Sequence, residues 1–265
     1  MPELPEVETF VRQLHPIAGT TVVNAEILDA RLAVDVKPLV GATIEGVERR
    51  GKHIVIHLAE RGDLIVHLRM SGRLRLDRSD DEIPYTRMIL HLDSGKSVYF
   101  VNPRRLGTAV LCPHGFDVDL GIEPIDPAFT AETLAAFTVA SRAPIKQLLL
   151  DQRKIAGIGN IYAAEALWQA GIDPRRPSNT LAPEEINRLH TAITSVLFDA
   201  IEQLGTRIGS SVSDYRPSSD GATGTFQNQL SVYGRESEPC ERCGTRIERV
   251  VQAGRSTCFC PACQT

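Results

Sequence analysis

Five of the six cysteines fall in the last 26 residues, and their spacing is the strongest chemical signal in the chain. Cys240, Cys243, Cys260 and Cys263 form a C-x2-C-x16-C-x2-C pattern. Two such knuckles can each present two thiolates to one tetrahedral zinc. A pair of disulfides is the competing chemistry. It belongs to oxidising compartments, and nothing marks this chain as exported. Cys258 falls too early for the spacing and reads as a packed thiol. A tail of about 30 residues cannot build a core, so the metal must supply much of its folding energy. Four thiolates leave no open position for water, so such a zinc is structural.

The N-terminus, Met1-Pro2-Glu3-Leu4-Pro5-Glu6-Val7-Glu8, offers a second chemistry. Removing Met1 would leave Pro2 with a secondary amine. An α-amino group titrates near ~7.7–8, so much of it is nucleophilic at neutral pH. Attack on a sugar aldehyde carbon gives an iminium ion that cannot shed its charge by losing an N–H. That ion is an electron sink suited to β-elimination of a neighbouring phosphate. Glu3 stands beside it as an acid, with Glu6 one helical turn on. The plainer reading is ordinary helix-start chemistry, in which Pro and Glu suit the first turn.

A third candidate is Lys154-Ile-Ala-Gly-Ile-Gly-Asn160-Ile-Tyr162. Its glycines break two helical stretches, and the next helix starts near Asn160 with backbone N–H groups open to a phosphate. A plain helix–helix hairpin is an equal alternative. Basic residues complete the set: Arg49-Arg50-Gly51-Lys52, Arg69-Met70, Arg73, Arg104-Arg105, Arg142, Lys146 and Arg153-Lys154. They lie on expected turns and strand ends beside Gly or Pro, as suits contact with a phosphate backbone, although short charge runs are often solvated faces.

Elements must position these groups. Val7, Phe10, Val11 and Leu14 continue the N-terminal helix at helical spacing. Short β-like runs follow at Val22–Leu28, Thr43–Arg49, His53–Leu58, Leu64–Leu68, Met88–Leu92, Ser97–Val101 and Thr108–Leu111. Gly, Asp and Ser punctuate them. Many close-spaced strands predict a sandwich or flattened barrel. Pro113 to Pro127 reads as a hinge. Helical spacing then marks Thr130–Phe137, Ile145–Leu150, Asn160–Ala170 and Pro183–Leu204. The expected class is therefore α+β and multidomain. An N-terminal β-sandwich with its helix spans 1–125. A helical domain spans 126–235 and carries a Ser/Gly-rich loop at 208–224. A zinc β-hairpin spans 236–265.

At 265 residues with 42% hydrophobic content, the chain can bury real cores and is not disordered. No apolar run approaches the ~20 residues of a membrane helix, and the acidic, Pro-rich start does not read as a signal or transit peptide. The net charge of −4 weighs, in bulk, against a polyanion partner. Residues 1–125 carry 15 Lys+Arg and 18 Asp+Glu, and 126–265 carry 14 and 15, so neither half is basic. Placement therefore matters more than balance.

Taken together these blocks resemble the formamidopyrimidine-DNA glycosylases, bacterial base-excision repair enzymes. The likeness runs the whole chain: the Met1–Thr9 opening, Arg50-Gly51-Lys52, His67–Gly72, Pro103-Arg104-Arg105, Leu150–Tyr162, Gln229–Arg235 and Gly254–Gln264. The resemblance implies a β-sandwich, a helix–two-turns–helix domain and a zinc finger, with damaged double-stranded DNA in the cleft between. The basic turns then form a narrow positive cleft on an otherwise acidic protein. The resemblance further implies a glycosylase and abasic-site lyase that excises oxidised purines and then carries out β,δ-elimination. Pro2 becomes the Schiff-base nucleophile, Glu3 the general acid, Lys52 the aid to β-elimination, and Arg255 the phosphate holder linked to δ-elimination. Asn160, Tyr162, Arg142 and Lys146 are expected to face DNA. Met70 and Arg104 are expected to fill the gap left by the everted base. It also implies a bacterial, cytoplasmic and nucleoid-associated monomer.

Two positions depart from the family. Leu106 stands where Phe is usual, which keeps an apolar wedge but loses stacking worth roughly 1–3 kcal/mol per base. Tyr85, after Pro84, falls where a His contacts the DNA backbone. The loop from Ser210 to Phe226 and the Leu4-Pro5-Glu6-Val7-Glu8 opening favour the purine branch, with 8-oxoguanine and formamidopyrimidines as substrates. A Nei-type glycosylase for oxidised pyrimidines is the alternative. A non-catalytic DNA-damage-binding zinc protein is a further one, which Pro2, Glu3, Lys52 and Arg255 argue against.

Overall fold

The computed structural model describes residues 1–78, 82–115, 118–207 and 224–265, and the chain forms two compact units. Helix α1 (Leu4–Leu14) opens the first. Among the described residues eight strands follow: β1 (Val22–Ile27), β2 (Ile44–Arg50), β3 (His53–Leu58), β4 (Gly62–His67), β5 (Arg73–Arg78), β6 (Thr86–Leu92), β7 (Lys96–Val101) and β8 (Thr108–Cys112). They pair as two antiparallel sheets in the orders β1-β6-β7-β5 and β2-β3-β4-β8.

Alternation decides the layers. Val22, Leu74, Leu90, Val98 and Phe100 of one sheet share a buried core with Ile44, Ile54, Ile56, Leu64 and Val66 of the other. Val7, Phe10, Val11 and Leu14 bring the apolar face of α1 into that core. Burying such side chains is worth about 1.5–3 kcal/mol each, so the sandwich fixes the N-terminus rigidly. Strand β5 is absent from the sequence reading. Its Arg-Leu-Arg-Leu-Asp-Arg run alternates, but only Leu74 and Leu76 mark the inward face, and Arg73 reads as part of a basic turn.

The second unit holds α2 (Ala131–Val139), α3 (Ile145–Leu149), α4 (Asn160–Ala170), α5 (Pro183–Glu202) and a hairpin of β9 (Glu248–Gln252) and β10 (Arg255–Phe259). Thr130 caps α2 by accepting from the Thr133 N–H, and Gly171 ends α4 in the left-handed region at φ 73°. Buried Glu165 on α4 accepts the N–H groups of Ser231, Val232 and Tyr233 and so fixes the approach to the hairpin.

The units differ from the three segments expected at 1–125, 126–235 and 236–265. Residues 119–125 join the second unit, because Gly121 and Ile122 donate to the carbonyls of Gln152 and Lys154. The hairpin packs against α4 within that same unit. Residues 203–227 belong with the sandwich. Of the expected loop at 208–224, all but Gly224 lies outside the described residues.

Candidate nucleic-acid interface and active site

In the first unit the site is built around the start of α1. Glu3 is the residue before the helix, and its backbone N–H donates to Glu6 Oε2 at 2.8 Å. Glu6 Oε1 accepts from the Thr206 N–H and hydroxyl at 2.8 and 2.9 Å. Gly205 (φ +78°) makes this possible, because a Cβ there would stand 2.8 Å from Glu6 Oε1. Pro2, Glu3 and Glu6 are all buried. One carboxylate thus locks both the Pro2-Glu3 pair and the chain at 205–206.

The α-amine of Met1, the residue before Pro2, sits in a defined field. Burial pulls it below its ordinary value, Glu3 and Glu6 push it back up, and Lys52 and Arg104 lower it again. Glu3, Glu6, Lys52 and Arg104 thus all act on the charge at the start of the chain, next to Pro2. Lys52 is buried in the tight turn between β2 and β3, where Gly51 takes φ +59°. Arg49 braces this turn rather than facing outward: it donates to Glu8 Oε2 at 3.0 Å and to the Gly51 carbonyl at 3.2 Å.

Glu6→Ala removes the acceptor for three donors. We expect a stability loss of about 3 kcal/mol by denaturant unfolding. We also expect a fall in turnover on the order of 100-fold, because small misplacements of a reacting group cost that much.

Met70, Tyr85 and Leu106 are 42%, 48% and 53% exposed, as the expected contact with DNA requires. Arg104 is exposed too. The loop that carries Arg104 and Leu106 is held from behind. Arg105, at φ +54°, forks both nitrogens onto Asp29 at 2.7 Å each, and this holds the Asp29 carboxyl far below the usual carboxylate range. Asp29 lies 76 residues away, which is why sequence spacing missed it.

Behind Lys52 lies a histidine pair, His53 and His67, edge to face at 4.6 Å. Burial, then the neighbouring His53, Arg69 and Lys52, lowers His67 to about 3. The folded state keeps this ring neutral, whereas the unfolded chain takes up a proton below ~6.5. Stability is unaffected above pH 6.5 and declines as pH falls from there toward 3, by at most about 1.4 kcal/mol per pH unit. Thermal melts from pH 7.5 to 4.5 check this: the wild type should lose Tm more steeply than His67→Gln.

The second unit carries its own cluster. Residues Ala253 and Gly254, at φ 46° and 74°, turn the hairpin so that exposed Arg255 opens β10. Asn160, first residue of α4, donates Nδ2 to the Ser256 carbonyl at 2.9 Å. Arg255 and Lys146 help to line one cavity, together with Gln147, Asp151 and Gln252. Arg142 is exposed.

Two expectations are corrected here. Lys146 is 1% exposed, and its ammonium donates to the Ser256 carbonyl at 3.1 Å and to Thr257 Oγ1 at 2.7 Å. It grips the strand that bears Arg255 and does not face outward. The Tyr162 side chain is likewise 1% exposed, because α4 turns it into the core. Both were expected to face DNA from the resemblance, and neither residue carries in sequence a mark of the partners that bury it.

The four cysteine sulfurs Cys240, Cys243, Cys260 and Cys263 lie within 4.8 Å of one another. The Cys240–Cys263 and Cys243–Cys260 separations are 4.0 and 3.5 Å. Zinc–sulfur bonds of ~2.3 Å at tetrahedral angles require about 3.8 Å, so the donor set fits one structural zinc. Cys258 stands outside the group and is buried.

A sandwich that buries Pro2 and Glu3 at the start of its first helix, joined to a helical domain and a four-cysteine hairpin, is the architecture of a DNA glycosylase. Three family profiles match in order: the formamidopyrimidine-DNA glycosylase N-terminal domain over residues 1–109, its H2TH domain over 120–211, and the zinc finger found in FPG and IleRS over 237–265. The formamidopyrimidine-DNA glycosylase of Moorella thermoacetica is 45% identical, covering 94% of each chain. That of Chloroflexus aurantiacus is 44% identical over 100% of this chain and 98% of its own. Among solved structures, the MutM (FPG) protein of Thermus thermophilus superposes with a TM-score of 0.89 at 42% identity, covering 99% of this chain and 98% of its own. A Lactococcus lactis FPG mutant in complex with a Fapy-dG containing DNA superposes with a TM-score of 0.91 at 34% identity over all of both chains. The chain belongs to the formamidopyrimidine-DNA glycosylase family. It is a DNA glycosylase of oxidised purines in base excision repair.

Proposed function

We propose that the protein excises 8-oxoguanine and formamidopyrimidines from duplex DNA and then cuts the strand at the resulting abasic site. The observation that supports this is Pro2 and Glu3 buried at the start of α1, beside a Met1 amine on whose charge Glu3, Glu6, Lys52 and Arg104 all act. With Met1 removed, the Pro2 nitrogen attacks C1′ of the damaged nucleotide. Glu3 protonates the sugar ring oxygen, and the base leaves with its bonding pair. The C1′–O4′ bond breaks onto the protonated oxygen to give the iminium, which acidifies the C2′–H; a base takes that proton, and the freed electron pair expels the 3′ phosphate in β-elimination. Lys52 assists that proton transfer. Arg255 holds the lesion phosphate and supports loss of the 5′ phosphate in δ-elimination.

Asn160 and Arg142 contact the backbone, and Tyr85 replaces an imidazole contact with a hydroxyl. Met70, Arg104 and Leu106 fill the space of the everted base, offsetting an eversion cost of a few kcal/mol. Zinc, held by Cys240, Cys243, Cys260 and Cys263, fixes the hairpin that presents Arg255. The protein acts as a monomer in a bacterial cytoplasm, at the nucleoid. Among the described residues no helix is long and apolar enough to cross a membrane, which is compatible with that setting.

A panel of duplexes carrying 8-oxoguanine, a formamidopyrimidine, an oxidised pyrimidine or an abasic site tests this reading. Cleavage should favour the two purine lesions by at least about 10-fold, a difference of 1.4 kcal/mol between transition states. Preference for the oxidised pyrimidine would assign the protein to the Nei-type branch instead.

A further inference from the structure

We propose that Trp168 is an outer-shell positioning residue of the zinc centre: its indole N–H hydrogen-bonds the Cys240 sulfur, and with Arg242 stacked on its ring it slows loss of the metal. This rests on zinc at the four cysteines. Trp168, the only tryptophan of the chain, lies in the last turn of α4. Its Nε1 stands 3.5 Å from Cys240 Sγ. An indole N–H can only donate, and here it donates to sulfur. The Arg242 guanidinium sits 4.2 Å from the ring centroid, and its Nη1 donates to the Trp168 carbonyl at 3.3 Å. Arg242 lies between two ligands in sequence, so the metal-binding knuckle itself reaches back to hold the indole.

The chemistry follows from charge. Four thiolates on Zn2+ leave two net negative charges in a site where Cys240 and Cys260 are buried. An N–H aimed at sulfur draws off lone-pair density and stabilises the thiolate charge, which makes that thiolate harder to protonate and so slows loss of the metal through protonation of its ligand. A cation over the indole face polarises the ring and strengthens the N–H as a donor. Ala164, Val232 and Ile247 pack with Cys240 and Cys260 in one buried cluster. At its other end, α4 holds the Ser256 carbonyl through Asn160. One helix therefore connects the metal to the strand that carries Arg255.

The test uses the full-length, zinc-loaded protein. Transfer of zinc to an excess of a chromogenic chelator should be about 10-fold or more faster in Trp168→Phe, which keeps an aromatic ring but removes the N–H, as outer-shell losses of 10–100-fold in affinity suggest. Arg242→Met should speed release less, by a few-fold. In the Co(II)-substituted protein, the sulfur-to-metal charge-transfer band should move to longer wavelength in Trp168→Phe, because a sulfur without the hydrogen bond gives up electron density more readily. Wild-type release together with an unmoved band would overturn the proposal. A second measurement needs no variant. Loaded with 113Cd, the protein should show its single indole proton coupled to the metal through the N–H···S bond, and no coupling would also overturn it. Zinc stoichiometry is read separately: less than one zinc released per wild-type chain would sink the metal assignment itself.

Discussion

A chain that keeps Met1 will release no 8-oxoguanine and leave no borohydride-stable adduct, while the Met1-free chain will do both. With Met1 attached, the Pro2 nitrogen is an amide and its lone pair is delocalised into the carbonyl. We expect a loss of at least about 1,000-fold in single-turnover excision, since activated nucleophiles and positioned acids each supply effects of that order. Pro2→Gly should keep a primary amine and a reduced rate with trapping intact. Full wild-type rate in that variant would mean that Pro2 is not the nucleophile. Glu3→Gln keeps the backbone N–H that reaches Glu6, so its fall of about 100- to 10,000-fold should appear in turnover and not in stability.

Stripping the metal, or replacing Cys260 by Ala, should abolish strand cleavage while the β-sandwich stays folded. Near-UV and far-UV dichroism during a melt should then show the second unit losing its low-temperature structure and the first unit melting as before. The physical reason is that the hairpin buries few side chains of its own, so its fold depends on the metal. Its loss releases Ser256 and Thr257 from Lys146 and Asn160, and Arg255 loses a fixed position. Lys146→Met should reproduce part of this at normal zinc content. An unchanged cleavage rate after complete zinc removal would show that the hairpin is dispensable.

Much of this was legible in the chain because its signals are local. The cysteine spacing, the Pro and Glu of the first turn, the Gly-bounded turn before Asn160 and the helical periodicities each act within a few residues. What the sequence hid is long-range. Asp29 supports Arg105, Thr206 seals Glu6, and Trp168 reaches Cys240, across separations of 76, 200 and 72 residues. A single polar residue carries no mark of which distant partner the fold will give it. Lys146 was misread for the same reason: a lysine near a turn reads as surface until its acceptors on β10 are known. Strand β5 escaped because charged residues dominate its run. The resemblance supplied the roles of Arg255 and Lys52, which spacing alone could not.

The two glycines at the base of the segment between residues 206 and 224 have an evolutionary consequence. A Cβ on Gly224 would fall 2.3 Å from the Gly205 carbonyl oxygen, and Thr225 and Phe226 donate to the carbonyls of Gln203 and Gly205 at 3.0 and 3.2 Å. The chain thus leaves and re-enters the sandwich through one stapled doorway, tied to the same carboxylate that sets the N-terminus. Lengthening a segment whose ends are already joined is cheap, roughly 0.6 kcal/mol for each doubling. A lineage can therefore change the length and sequence between 208 and 223 while Glu6, Thr206 and the start of α1 keep their bonds. Variation is thereby confined to a stretch whose two ends the fold holds fixed.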